Sequence, residues 1–138
     1  MSGLASRRHR ICLVALVLGV AFCQAATAAD SSFPFGHELM LDARPMKGSK
    51  RVPILDIDDN GKVTIDLWCD SVAGQLVVAN DTITVIAGAK SDRSCSPEQT
   101  QGDDEILAAL AQVTNWRRDG DRVELIGPTT LQFRIPTN

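Results

Sequence analysis

Asp56-Ile57-Asp58-Asp59-Asn60-Gly61 has the spacing of the first half of a calcium loop. In that pattern three oxygen-bearing side chains converge ahead of a sharp turn at glycine. A complete loop also needs a bidentate glutamate six residues after the glycine, and Leu67 stands there. The residues on either side alternate like strands, so a hairpin loop explains the same six residues, and no metal is expected. His37 is the only histidine outside the first ten residues. A Ser-His-Asp or Cys-His device would have to use it, yet no nucleophile motif lies near it. Zinc needs four ligands at motif spacing, and one histidine with Cys69 and Cys95 does not supply them. No glycine-rich loop of the phosphate-cradling kind is present. Trp116-Arg117-Arg118 reads as a core tryptophan followed by a solvated hairpin face rather than an interaction patch. The sequence therefore predicts no catalytic residue, no metal and no cofactor.

The chemistry that remains is that of the cysteines. Met1 to His9 carries Arg7 and Arg8, with Arg10 following. Ile11 to Phe22 is apolar, and Ala26-Thr27-Ala28 fits a small-residue cleavage site. A basic start, a short apolar run and an A-x-A site are the parts of a secretory signal peptide, predicted over residues 1–28. The apolar run is too short to span a bilayer comfortably, so the mature form is expected to have no transmembrane span. An uncleaved anchor is the alternative. Phe22 precedes Cys23 where a lipoprotein would have a small residue. Cleavage after Ala28 removes Cys12 and Cys23 and leaves Cys69 and Cys95 in an oxidising compartment, periplasmic or extracellular. A disulfide between them closes 26 positions, worth about 3.5 kcal/mol in the chain-entropy model. The alternative is two separate thiols, one buried and one in a loop.

The mature chain would keep 110 of the 138 residues, with 11 basic and 17 acidic side chains and a net charge of −6. That balance argues against nucleic acid, which needs a basic footprint, and against anionic lipid surfaces. The length suits one domain with a modest core, and a monomer is expected.

The elements that must hold the cysteines are mostly strands. Residues 29–54 read as a lead-in with a first strand near Glu38 to Asp42. Ala43 to Val52 is a basic, turn-rich loop, part of which the resemblance given below could place in an edge strand. Residues 55–136 form the core. A three-residue loop, Asp59 to Gly61, sets Ile57 opposite Val63 and Leu55 opposite Ile65. Opposed residues share a face, and only this register keeps the apolar ones together. Gly61 then takes the left-handed position. Cys69 continues the alternation of Val63, Ile65 and Leu67 and is expected to point inward. Asn80-Asp81 makes a two-residue turn, with Val78 opposite Ile83 and Leu76 opposite Val85. Ile106, Leu107, Leu110 and Val113 form one stripe at helical spacing. A helix is predicted over Asp103 to Val113, with its acidic residues in the first turn. It is too short to stand alone and must pack on the sheet. A turn at Asp119-Gly120 would set Trp116 opposite Val123. Leu131, Phe133 and Ile135 end the pattern. About seven strands in consecutive hairpins and one helix predict an α+β, mainly β fold: a small antiparallel sheet, curled or barrel-like, with the helix packed on it.

With Trp68-Cys69-Asp70, Gly74, the Asn80-Asp81 hairpin, Ser91 to Pro97 around Cys95, the helix run Glu105 to Leu110, and Gly120 to Leu125 followed by Leu131-Gln132-Phe133, the chain resembles the META-domain (HslJ-like) family. Order and spacing carry the resemblance over Leu55 to Phe133. Three residues depart from the family pattern: Trp68 stands for glycine, Asp70 for asparagine and Arg93 for methionine. The resemblance implies a small antiparallel β-rich fold with a helix, often exported, with links to envelope stress and no common enzymatic activity. The expected function is therefore that of an exported, non-enzymatic protein that binds an envelope partner or supports envelope stress tolerance. Two alternatives remain: a carrier of a small molecule inside the curled sheet, or an inhibitor of an extracellular hydrolase.

Overall fold

The structure, a computed structural model, describes residues 32–137. The leader read at residues 1–28, with Cys12 and Cys23, lies outside the described residues. Eight strands close into an antiparallel barrel in sequence order: β1 (Glu38–Leu41), β2 (Ile54–Ile57), β3 (Lys62–Asp66), β4 (Ser71–Ala79), β5 (Thr82–Lys90), β6 (Asn115–Asp119), β7 (Arg122–Ile126) and β8 (Leu131–Arg134). One helix, α1 (Pro97–Ala111), enters between β5 and β6. The count is eight strands rather than about seven, and β1 closes the ring by pairing Leu41 with Phe133 of β8. Closure removes the unpaired edges that an open sheet exposes. Residues 42–53 form a loop without a strand, so no part of that segment is an edge strand.

Alternation decides which side chains face inward. Leu39, Leu55, Ile65, Val123, Leu125 and Phe133 are essentially inaccessible, and each sits between exposed or half-exposed neighbours on its strand. An eight-stranded barrel has an interior just wide enough for side chains to fill, and these residues fill it. The β2–β3 register pairs Ile57 with Val63 and Leu55 with Ile65, as the three-residue loop requires. Gly61 has φ +79 in that loop, and a Cβ there would lie 2.6 Å from the Leu76 carbonyl oxygen. The β4–β5 register pairs Val78 with Ile83 and Leu76 with Val85. The β6–β7 hairpin differs from expectation. Trp116 pairs with Leu125, and Asp119 with Arg122, so the loop is Gly120-Asp121 rather than Asp119-Gly120. Gly120, at φ +62, fills the first loop position instead of the second, an arrangement open to glycine. A shift of two residues preserves the faces, so Trp116 still enters the core, with Phe33 edge-on against it at 5.1 Å.

The chain leaves the sheet after Lys90, builds α1, and returns at Asn115, which pairs with Thr82 of β5. The helix starts six residues earlier than the apolar stripe indicates. Ser96 is its N-cap: its hydroxyl accepts from the Gln99 amide, the Gln99 side chain accepts from the Ser96 amide, and Pro97 occupies the first turn. This capping box satisfies two amides that the first turn leaves without partners. Leu110 is fully buried, and Ile106 and Leu107 are partly buried on the same side. Ser96→Ala is expected to cost about 1 kcal/mol, read as a lower urea midpoint with an unchanged slope; a shift within error would mean that the cap is not holding the helix start.

A carboxylate-clamped, disulfide-stapled turn as candidate functional site

Between β3 and β4 the chain makes a tight turn, Leu67-Trp68-Cys69-Asp70, closed by a hydrogen bond from the Leu67 amide to the Asp70 carbonyl. The strand alternation stops at Asp66, so Cys69 is half-buried in the turn rather than inward on a strand, and Leu67 and Trp68 are both buried. In this conformation three successive amides point the same way. The carboxylate of Asp103, on α1 and 1% exposed, receives them. Trp68 N donates to Oδ1 at 2.8 Å, Cys69 N to Oδ1 at 3.4 Å, and Asp70 N to Oδ2 at 2.9 Å. A buried charge is tolerable only when its lone pairs are met in this way. Asp103 is thus neither in the first helical turn nor serving the helix dipole, as the expected helix start implied. Glu98 has that place.

Around this clamp the side chains converge from three loops. A disulfide joins Cys69 to Cys95, with Cα atoms 5.9 Å apart, just before the Ser96 cap. Gly102 lets α1 approach the turn: a Cβ there would fall 2.9 Å from Trp68 Cδ1 and 2.4 Å from Met46 Cε. Ser49 Oγ donates to the Trp68 carbonyl at 3.0 Å. Arg51 Nη2 and Arg93 Nη1 both donate to the Cys69 carbonyl, at 3.0 and 3.4 Å. The Asp70 carboxylate, 6% exposed, accepts from the Ser91 hydroxyl and from the Ser71 amide. The Ser91 hydrogen bond, more than any other contact, holds its pKa below the ordinary 3.8; burial opposes this, and the Ser71 amide, Lys90 and Arg93 assist. A carboxylate with a lowered folded-state pKa stabilises the fold above its unfolded value and loses that contribution as pH falls through the folded one. Asp70→Asn is therefore expected to lower stability at pH 7 and to flatten the loss below pH 3.8. Urea midpoints measured from pH 7 to pH 2.5 read both effects, and parallel curves for the two proteins would refute the assignment.

The residues singled out for other chemistry lie elsewhere. Asp58 Oδ1 accepts from the Asn60 and Lys62 amides, both at 2.8 Å, so this carboxylate shapes the β2–β3 loop. Asp56 is exposed on β2, opposite Thr64. Among the described residues no group of three or more His, Cys, Asp or Glu side chains is placed to hold a metal ion. His37 lies exposed ahead of β1, its Nδ1 2.9 Å from the Phe35 carbonyl. No helix among the described residues is long and apolar enough to cross a membrane.

Asp103, Ser49, Arg51 and Ser91 were not legible as site residues. One signal did exist for Asp103: it sits three residues before Ile106 and seven before Leu110, on the buried stripe. An acid in that register is a sign of a buried partner.

The fold and the turn define a small, helix-bearing antiparallel β-barrel whose β3–β4 turn is bound by a carboxylate to its helix and by a disulfide to the residue before the helix cap. The META domain family model matches residues 37–134, and the chain belongs to the META domain family. The match begins upstream of the span carried by the sequence motifs and takes in β1. Trp68 and Asp70 lie in this turn, and Arg93 reaches its Cys69 carbonyl from the loop before α1. Neither the curated proteins nor the solved structures gave a match.

Proposed function

We propose that this META-domain protein is exported and acts without catalysis, by binding another protein of the cell envelope or by supporting the envelope under stress. The observation that carries the reading is what the polar groups at the turn are used for. Asp103 is filled by backbone amides, Asp70 by a hydroxyl and an amide, and both cysteines by each other. Groups committed in this way build a rigid surface feature and leave little to act on a substrate. The disulfide favours an oxidising compartment. The carrier reading needs room, and the filled barrel interior speaks against it. Inhibition of an extracellular hydrolase has no specific contact in its favour.

Deletion of the gene is expected to sensitise cells to envelope stress, with rescue by the full chain but not by a form lacking residues 1–28. No change on deletion, or full rescue by the truncated form, would overturn the reading. Mass spectrometry of the purified protein tests export separately: the expected product begins at Ala29 and is two hydrogens lighter than its reduced form.

A further inference from the structure

The loop from residue 43 to residue 52 carries Arg44, Lys47, Lys50 and Arg51 and no acid; the nearest acids in sequence are Asp42 and Asp56. In a chain with 17 acidic and 14 basic residues, four cations within eight positions form a local reversal of charge. The fold adds a fifth. Arg93, from the loop before α1, meets Arg51 on the Cys69 carbonyl oxygen.

The four loop cations are poorly neutralised, whereas Arg93 lies within reach of the Asp70 charge. Arg44, Lys47 and Lys50 are exposed and, among the described residues, have neither an ion pair nor a side-chain hydrogen bond. The carboxylate paired with Arg51 is Asp66, at the outer limit of 4.0 Å. Lys90, by contrast, is held by Asp104 at 2.6 Å and Arg134 by Asp42 at 3.3 Å, while Lys62 and Arg122 stand singly on their strands rather than in a cluster. The loop is also anchored, through Ser49 to Trp68 and through Arg51 to Cys69, so part of its ordering cost is met before anything binds.

We propose that this loop, with Arg93, is a docking surface for an acidic segment of a partner protein. The assignment deepens the partner-binding reading and rests on it. Arg51 and Arg93 each give a single N–H to the Cys69 carbonyl, which brings two guanidinium groups together beside the loop with their other N–H donors left over, and guanidinium is the cation best matched to carboxylate. A flexible acidic segment feels charge only within a Debye length of about 8 Å at physiological salt. It therefore meets the cationic loop and not the net negative charge of the molecule. An anionic membrane, a broad plane, would face the remaining acids as well.

Hexaglutamate is the probe, titrated into the full oxidised chain at low and physiological salt with calorimetric readout. Binding is expected at low salt and should weaken steeply as salt rises. The combined variant Arg44→Glu/Lys47→Glu/Lys50→Glu should lose about tenfold or more in affinity, and Arg93→Gln severalfold. Lys62→Glu, an exposed cation at the end of β3 away from the turn that anchors the loop, should leave binding unchanged. All substituted positions are exposed, and circular dichroism checks that each variant is folded. Absence of hexaglutamate binding at low salt would overturn the proposal. So would an equal loss in Lys62→Glu, or binding to phosphatidylglycerol vesicles without binding to the peptide. This experiment reads the surface alone; the deletion phenotype reads the cellular role, so either can fail without the other.

Discussion

Asp103→Ala is expected to cost about 3–5 kcal/mol, a large part of the 5–15 kcal/mol that stabilises an ordinary domain. The substitution leaves the turn amides of Trp68 and Asp70, both bonded in buried surroundings, without acceptors. The Cys69 amide, at 3.4 Å and less buried, contributes less. An orphaned buried amide costs about 1–3 kcal/mol, and two of them set the scale. Asp103→Asn separates charge from geometry. Its carbonyl oxygen can take the place of Oδ1 and accept from Trp68, but the amide nitrogen would then face the Asp70 N–H, donor against donor. The expected cost is intermediate, about 2 kcal/mol, and this variant remains folded enough to measure if alanine does not. Urea denaturation of both variants at pH 7 tests the clamp. A cost below about 1 kcal/mol for alanine would mean that water replaces the carboxylate and that the turn does not depend on α1.

How much of this could be read beforehand follows from the range of the interactions involved. The β2–β3 and β4–β5 registers were legible because each is fixed within a dozen residues: the loop length and the apolar alternation admit one solution that keeps Leu55, Ile57, Val63 and Ile65 on the same face. The β6–β7 hairpin shows the limit of that logic. Alternation has a period of two, so moving the loop from Asp119-Gly120 to Gly120-Asp121 changes every partner and no face. The start of α1 was hidden for a different reason. Its first two turns, Pro97 to Asp104, are polar or glycine after the proline, so the hydrophobic period is silent there; the signal was the Ser96-x-x-Gln99 box. The candidate site was the least legible part. Asp103 meets Trp68 and Asp70 across more than thirty residues, and Arg51 and Arg93 converge from two loops with no shared motif. The cysteine pair could be anticipated because the leader read at residues 1–28 and the chemistry of thiols select it without geometry. The carboxylate beside it could not, because only the closed barrel brings α1 to the turn.

Removing the disulfide is the second large perturbation. Cys69→Ser/Cys95→Ser is expected to lower stability by about 3.5 kcal/mol if the bond acts by restricting the unfolded chain over its 26 positions. The denaturant slope should rise, since an uncrosslinked chain exposes more surface on unfolding. Asp103 makes the mechanism separable. It binds the same turn to the same helix by a route that does not pass through sulfur. A bond acting only on the unfolded state leaves the native clamp untouched, so the cost of Asp103→Asn should be equal in the oxidised and cysteine-free backgrounds. A bond that instead holds the turn in place for Asp103 predicts coupling: without it the turn and helix separate more easily, and Asp103→Asn should change in cost by more than about 0.5 kcal/mol. The four proteins of this cycle, measured by urea unfolding at one pH, distinguish the two. The geometry favours the additive result, because the capping box, the Gly102 contact with Trp68 and the Ser49 hydrogen bond each hold part of the same arrangement without the sulfur bridge.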